Sequence, residues 1–334
     1  MVIKVWASAA LAGLVMVSAL AVAQPAATQG NPSNYPNRPV TLVVPYAAGG
    51  GLDVFARQLA QRLSDRLGKP FVVENRTGAG TAIGSASVAR ATPDGYTIML
   101  GTSTPFAINA TLHKNLGYDP GKDFAPIVLT SNAPFMLLVN PAQPIHSVSD
   151  LIKLAKEKPG QFSYGSAGPG SPQHLSFELL KSMTGIEVVH VPHRGDAPAL
   201  TNLVAGHIPT MFAEPTPVMP VLREGKVRAL AVSSQKRLAI APEVPTVAEA
   251  GVAGFDFTSW QMIVAPAGTP KEIVERLHLE LKQVLELPDI KAEFARTGRI
   301  TVGYPPLDEL QRFMRAEIAR LGSVVEKAGI AKSQ

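Results

Sequence analysis

The sequence predicts an α/β protein with two modest domains, and two observations carry the prediction. Short β-branched apolar runs alternate with segments of helical apolar spacing along the chain after residue 39. The chain has 334 residues, 46% of them hydrophobic, enough for two cores of ordinary size. Repeated strand–helix–strand units imply mainly parallel sheets with helices on both faces.

The first unit is the most informative. Val40, Thr41, Leu42, Val43 and Val44 read as a strand, and residues 45–51 follow as a small-residue loop ending in Gly49, Gly50 and Gly51. A helix over residues 53–67 then stops at Gly68, with Lys69 and Pro70 beyond it. Residues 71–73 form the next strand, residues 75–80 a turn and residues 81–91 a small-residue helix. Pro93, Asp94 and Gly95 turn into a strand over residues 97–100, and two more strands fall at 127–129 and 135–139.

Ser147 with Asp150 three residues on is a capping box, opening a helix to about Lys156. Residues 162–164 are a strand. Ser171 caps the next helix with Pro172 at its first position and Leu175, Leu179, Leu180 and Met183 as its stripe. Residues 188–191 form a strand, 196–205 a helix closed by Gly206, and 209–212 and 227–232 two further strands. After a Pro-rich turn region over residues 243–251, residues 259–265 return as a strand. Helices over 271–287, 288–297 and 307–328 complete the chain and are expected to pack on the first domain.

The N-terminus reads as a secretory signal. Lys4 gives the positive start, residues 5–20 are almost wholly apolar, and Ala21-Val22-Ala23 fits small-x-small cleavage. This predicts a signal peptide over residues 1–23, a mature start near Gln24, and a flexible leader over 24–35. The chain has no cysteine, which excludes disulfides, thiolate metal sites, a cysteine nucleophile and a lipidated N-terminal anchor. The product is expected free in the periplasm. Removing Lys4 from the formal +5 leaves +4, spread without Lys/Arg runs. That argues against a nucleic-acid partner and is compatible with a small anion.

Three glycine-bearing loops join strands to helix starts, where free N–H groups and the helix dipole attract anions. The first comprises Tyr46, Ala47, Ala48, Gly49, Gly50 and Gly51, with Asp53 either capping the helix or bonding a ligand. The second, Gly78-Ala79-Gly80 with Gly84, lacks the acidic residue of a dinucleotide fingerprint and reads as close packing. The third carries Ser166, Ala167, Gly170 and Ser171, then His174; it either makes a second anion half-site or is a loop in which Ser171 only caps the helix, and His174 either contacts the ligand or sits at the surface. Arg194 either clamps a carboxylate, pairs with Asp196 or is solvated. Trp260 either lines a cleft or packs a core. There is no nucleophile elbow, zinc-protease or phosphate-loop motif, no close histidine spacing and no paired carboxylates. No enzyme, cofactor or metal is therefore expected.

Many ordered matches carry a family resemblance. They include Tyr35-Pro36, Pro45 with Gly49-Gly50, Asn75-Arg76, Pro93-Asp94-Gly95-Tyr96, His174-Leu175, Gly195 with Pro198-Ala199-Leu200, residues 225–232, Glu249-Ala250-Gly251, and Trp260 with residues 265–270. The chain resembles the tripartite tricarboxylate transporter substrate-binding proteins, the Bug receptor family, over nearly all its length after the signal. The resemblance implies a type II-like, two-domain periplasmic binding protein shaped as a clam shell. Domain 1 would span residues 36–134 with 251–334, and domain 2 residues 135–250. A small organic carboxylate would sit in the cleft, between residues 46–53 and 166–171, with Thr102 and Ser103 at a further strand end. The family often holds its ligand by backbone groups and bridging waters rather than an arginine. Where its first loop commonly has Pro-Gly-Gly after a bulky residue, this chain has Tyr46-Ala47-Ala48-Gly49-Gly50-Gly51. The implied function is delivery of the carboxylate, by a monomer, to the membrane permease subunits of a tripartite importer. The alternative is an extracytoplasmic ligand sensor subunit for a signalling system, which uses the same binding step.

Overall fold

The structure, a computed structural model, describes residues 34–193 and 195–334. The expected signal peptide, the leader up to residue 33, and Arg194 lie outside the described residues.

Eleven strands form two sheets among the described residues. The first contains β1 (Val40–Val44), β2 (Phe71–Asn75), β3 (Thr97–Thr102), β4 (Phe124–Pro134), β10 (Thr258–Pro266) and β11 (Ile300–Thr301), ordered β11-β4-β10-β3-β1-β2. The second contains β5 (Met136–Val139), β6 (Ser163–Ser166), β7 (Val189–Pro192), β8 (Thr210–Ala213) and β9 (Arg228–Val232), ordered β7-β6-β8-β5-β9. β1 pairs in parallel with β2 and β3, and β6 with β7 and β8. β10 runs antiparallel to β3 and β4, and β5 antiparallel to β8 and β9. These are the strands on which the chain enters one sheet from the other, so both sheets are mixed.

Among the described residues, ten α-helices accompany the strands: α1 (Gly51–Leu67), α2 (Ala82–Ala89), α3 (Asn109–Leu112), α4 (Val148–Glu157), α5 (Pro172–Thr184), α6 (Asp196–Val204), α7 (Pro215–Arg223), α8 (Lys271–Leu285), α9 (Pro288–Thr297) and α10 (Leu307–Lys327). Alternation along a strand sends successive side chains to opposite faces. In β1, Val40, Leu42 and Val44 pack with Leu59 of α1 and Leu277 and Leu281 of α8, whereas Val43 joins the opposite core with Phe106 and Trp260. In β5, Leu137 and Val139 share that core with Phe177 of α5, while Met136 and Leu138 face Leu203 of α6 and Val218 of α7. Burial on both faces explains why these strands read as largely apolar runs, broken in β1 only by the half-buried Thr41.

Several elements depart from expectation. α7 carries Pro215, Pro217 and Pro220, which lower helix propensity, yet Pro215 and Pro217 fall in the first turn, where no backbone donor is needed. A turn of π-helix (Thr104–Ile108), α3 and β11 were not expected. Met183 of the predicted α5 stripe lies in the last turn and is 40% exposed. Trp260 packs in the core at 2% exposure, stacks on Phe106 at 5.9 Å, and donates its indole N–H to Glu317 Oε2 at 2.8 Å. α10 packs on β4 of the first sheet, as expected, and also touches α5.

The chain crosses between sheets at Phe135 and again over residues 233–257. Ser233 joins the two crossings. Its hydroxyl accepts from Phe135 N at 2.8 Å and donates to Phe257 O at 2.6 Å. Its backbone N–H also donates to Phe135 O, and its carbonyl accepts from Phe257 N.

Candidate functional site

A cavity of about 420 Å³ opens where carboxyl ends of strands from both sheets meet. Open α/β sheets commonly place ligands at such ends. From the first sheet come Gly50 and Gly51 after β1, Gly80 and Thr81 after β2, Thr102 and Thr104 around the end of β3, and Ser259 and Gln261 of β10. From the second come Ala167, Gly170 and Ser171 after β6, Gly195 and Asp196 after β7, and Glu214 after β8.

The β1–α1 loop is built around Asp53. Gly49 takes φ +81°, a left-handed conformation that suits glycine. Its N–H donates to Asp53 Oδ2 at 2.8 Å, while Asn75 Nδ2 donates to Oδ1 at 3.0 Å and Arg57 pairs with both oxygens. Burial pushes the Asp53 carboxyl up, but the bonds from Arg57, Gly49 and Asn75 outweigh it and hold the group below its ordinary value. Asp53 is therefore a permanent anion that closes the loop. α1 starts at Gly51 without a side-chain cap, so its first-turn N–H groups have no side-chain acceptor there, and Gly50, Gly51 and Leu52 line the cavity.

Opposite stands the β6–α5 loop. Ser171 caps α5, its hydroxyl accepting from His174 N at 3.2 Å, and Pro172 needs no partner. Gly170 takes φ +71°, and a Cβ there would lie 2.2 Å from Leu112 of α3. This is a close approach between elements of the two sheets, and Leu112 also lines the cavity.

The β2–α2 loop does two things. Gly84 lets α2 pack on the strand end, since a Cβ there would sit 2.3 Å from Arg76 O. Gly80 and Thr81 meanwhile line the cavity, Thr81 at φ +80°, a strained value for a β-branched residue. Asn109 Nδ2 bridges them, donating to Gly80 O and Thr81 Oγ1.

Arg299, just after α9, is the cation of the described lining. It donates to Gln261 Oε1 and Gly51 O, and its guanidinium lies over the Phe55 ring at 5.0 Å. Asp196 receives Gln173 Nε2 on Oδ2 at 2.7 Å. Burial, reinforced by Glu214, pushes its carboxyl up to about 7. Burial also raises Glu214, opposed by Arg299. Among the described residues, no cluster of His, Cys, Asp and Glu could hold a metal.

A model of the tripartite tricarboxylate transporter family receptor matches residues 55–330. The chain belongs to that receptor family. Protein BugT of Bordetella pertussis is 35% identical to this receptor over 296 residues, covering 88% of the chain and 90% of BugT. An adipate-bound structure from R. palustris is 39% identical with a TM-score of 0.80, covering 89% of this receptor and 99% of that chain. MatC from Rhodopseudomonas palustris, solved with bound malate, is 33% identical with a TM-score of 0.76, covering 87% and 100%. The receptor thus has the two-domain fold of periplasmic binding proteins and is a solute-binding protein, not an enzyme.

Of the residues singled out in the sequence, Tyr46, Gly50, Gly51, Asp53, Thr102, Ala167, Gly170 and Ser171 line the cavity of this receptor. Tyr46 and Thr102 touch, their hydroxyl oxygens 2.6 Å apart. Ala47, Ala48 and Gly49 do not line it; they form the exposed outer bend that Asp53 closes. Ser103 is buried behind the wall, 3.3 Å from Ser259 Oγ. Ser166 and His174 are also buried, and they shape the loop rather than face the cavity. Ser166 Oγ accepts from Gly168 N and lies 2.6 Å from His190 Nε2, and the His174 ring stacks on His190 at 3.8 Å. Gln261, Arg299, Asn109 and Glu214 escaped the sequence reading. Ser259 and Gln261 did leave a trace, two polar residues at strand alternation within an apolar run.

Proposed function

We propose that this protein captures a small organic carboxylate in the periplasm and delivers it to a tripartite tricarboxylate-type membrane importer. The observation that carries the reading is the convergence of two helix starts on one cavity. The α1 start comes from the first sheet and the α5 start from the second. Residues 36–134 with 251–334 and residues 135–250 act as two jaws, and closure about the Ser233 crossing withdraws the anion from water. The ligands of the structural neighbours, adipate and malate, are small carboxylates and agree with this chemistry. The signal peptide directs export through the inner membrane and is cleaved near Ala23.

The test is thermal unfolding of the purified chain with dicarboxylates, tricarboxylates, amino acids and aromatic acids. Binding to the folded state alone raises stability by an amount that grows with ligand concentration. A rise with one class, and loss of uptake of that acid in cells lacking the protein, are the expected results. No shift with any acid overturns capture, and binding with unimpaired uptake overturns delivery.

A further inference from the structure

The side-chain inventory of the cavity is rich in acceptors. Asp53 is already neutralised by Arg57, Gly49 N and Asn75. Arg299 spends donors on Gln261 Oε1 and Gly51 O. Two further carboxyl groups line the wall on the side of the second sheet, Asp196 at the start of α6 and Glu214 at the end of β8.

Two buried acceptors in this lining have no partner among the described residues. Asp196 Oδ1 is one, its Oδ2 being the oxygen that receives Gln173. Asn109 Oδ1 is the other. Its amide orientation is fixed, because Nδ2 donates to both Gly80 O and Thr81 Oγ1. A buried acceptor left unpaired is costly, so each calls for a donor. An ionised carboxylate has none to give, whereas an ammonium has three and carries the opposite charge to Asp196 and Glu214.

We propose that Asp196 and Glu214 are a specificity-determining pair that seats a cationic end of the ligand, so that the solute is a small acid bearing an ammonium group. This rests on the reading of the cavity as a carboxylate site. The ligand carboxylate lies at the α1 start, where backbone donors are available, and its ammonium meets Asp196 Oδ1. The elevated pKa of Asp196 fits the pairing, because a cation is what a buried, half-protonated carboxyl lacks. A simple dicarboxylate would bring a second negative charge against two acids.

Matched ligands test this on the full chain by calorimetry: ε-aminocaproate against adipate, γ-aminobutyrate against succinate, and L-glutamate against glutarate. In at least one pair the ammonium-bearing member is expected to bind at least about tenfold more tightly. In Asp196→Asn and Glu214→Gln, each checked for a single cooperative unfolding transition without ligand, that preference should shrink to about threefold or less. The wild-type comparison stands even if a variant folds poorly. Equal or tighter binding of the diacid in every pair overturns the proposal while leaving carboxylate capture intact. So does a preference that both folded variants retain. Binding of none of the six acids overturns the pairing and counts against the carboxylate reading itself.

Discussion

The backbone N–H of Gly170 donates to Nδ1 of His174 at 3.1 Å. A side chain that never meets the cavity thereby fixes the glycine that forms its wall. The bond requires an unprotonated Nδ1. Burial above all, helped by His190 and Lys181, pulls His174 down to about 3, and burial likewise pulls His190 to about 4.

His174→Phe keeps the stacked ring and removes the acceptor, leaving Gly170 N unpaired. A loss of about 1–3 kcal/mol in urea unfolding and a severalfold loss of affinity are expected. The pH dependence follows from the lowered pKa. The unfolded chain takes up a proton near the ordinary value of 6.5 and the folded chain does not, so the wild type loses stability as pH falls from there toward 3. The deficit of His174→Phe should therefore shrink on acidification. A deficit that stays constant from pH 7 to 4 would show that His174 is not held neutral.

Two glycines separate folding from binding. Gly50 has φ −72°, and the nearest atom to an added Cβ is Ala47 O at 3.5 Å, so the backbone tolerates a side chain. Gly50→Val should unfold within about 1 kcal/mol of wild type and bind at least a hundredfold more weakly, because the new methyls enter the cavity at the α1 start. Gly170→Ala combines a positive φ with a Cβ 2.2 Å from Leu112, and should lose about 2–4 kcal/mol as well as affinity. Unchanged affinity in Gly50→Val would remove the β1–α1 loop from the site.

What was legible in the sequence is what local chemistry dictates. The strand–glycine–helix run from Val40 into α1, the Ser171 cap with Pro172 and the Gly68 stop each depend on neighbours a few residues away. Half of the cavity wall is of another kind. Arg299 reaches Gly51 and Gln261 only because the chain returns on β10 and α9, a pairing set by hydrophobic burial and not by any short motif. The third loop misled in a specific way. Ser166 and His174 carry polar atoms beside a helix start, and those atoms bond inward to Gly168 N, His190 and Gly170 N rather than outward. Sequence gives polarity and neighbourhood, but the direction of a side chain depends on which partner is already buried.

The crossing at Ser233 predicts a change in both stability and closure. Ser233→Ala removes the acceptor of Phe135 N and the donor to Phe257 O, both buried beside the only two passages between the sheets among the described residues. About 1–3 kcal/mol should be lost in denaturant unfolding, and Ser233→Thr, which keeps the hydroxyl, should recover part of it. Small-angle scattering with and without ligand reads the closure. A compaction identical to wild type in Ser233→Ala would show that the clasp holds the crossings together without guiding the jaws.

Asp196 gives a pH signature opposite in sign to that of His174. Its folded pKa of about 7 lies above the ordinary 3.8, with burial as the main cause and Glu214 adding to it, while Gln173 opposes. Glu214 faces it from the end of β8, and Arg299 balances Glu214 from beyond α9. Folding therefore holds a proton on Asp196 that the unfolded chain releases near 3.8. Stability is complete below that value and is lost as pH rises through about 7, where the penalty levels off. Asp196→Asn carries no charge to bury, so its stability relative to wild type should climb between pH 4 and 7 and then hold constant. Thermal unfolding of the two ligand-free proteins across that window measures the difference directly, and subtracts the contribution of His174 common to both. A flat difference would mean that water reaches the Asp196 carboxylate in solution and that Oδ1 is hydrated rather than waiting for a donor.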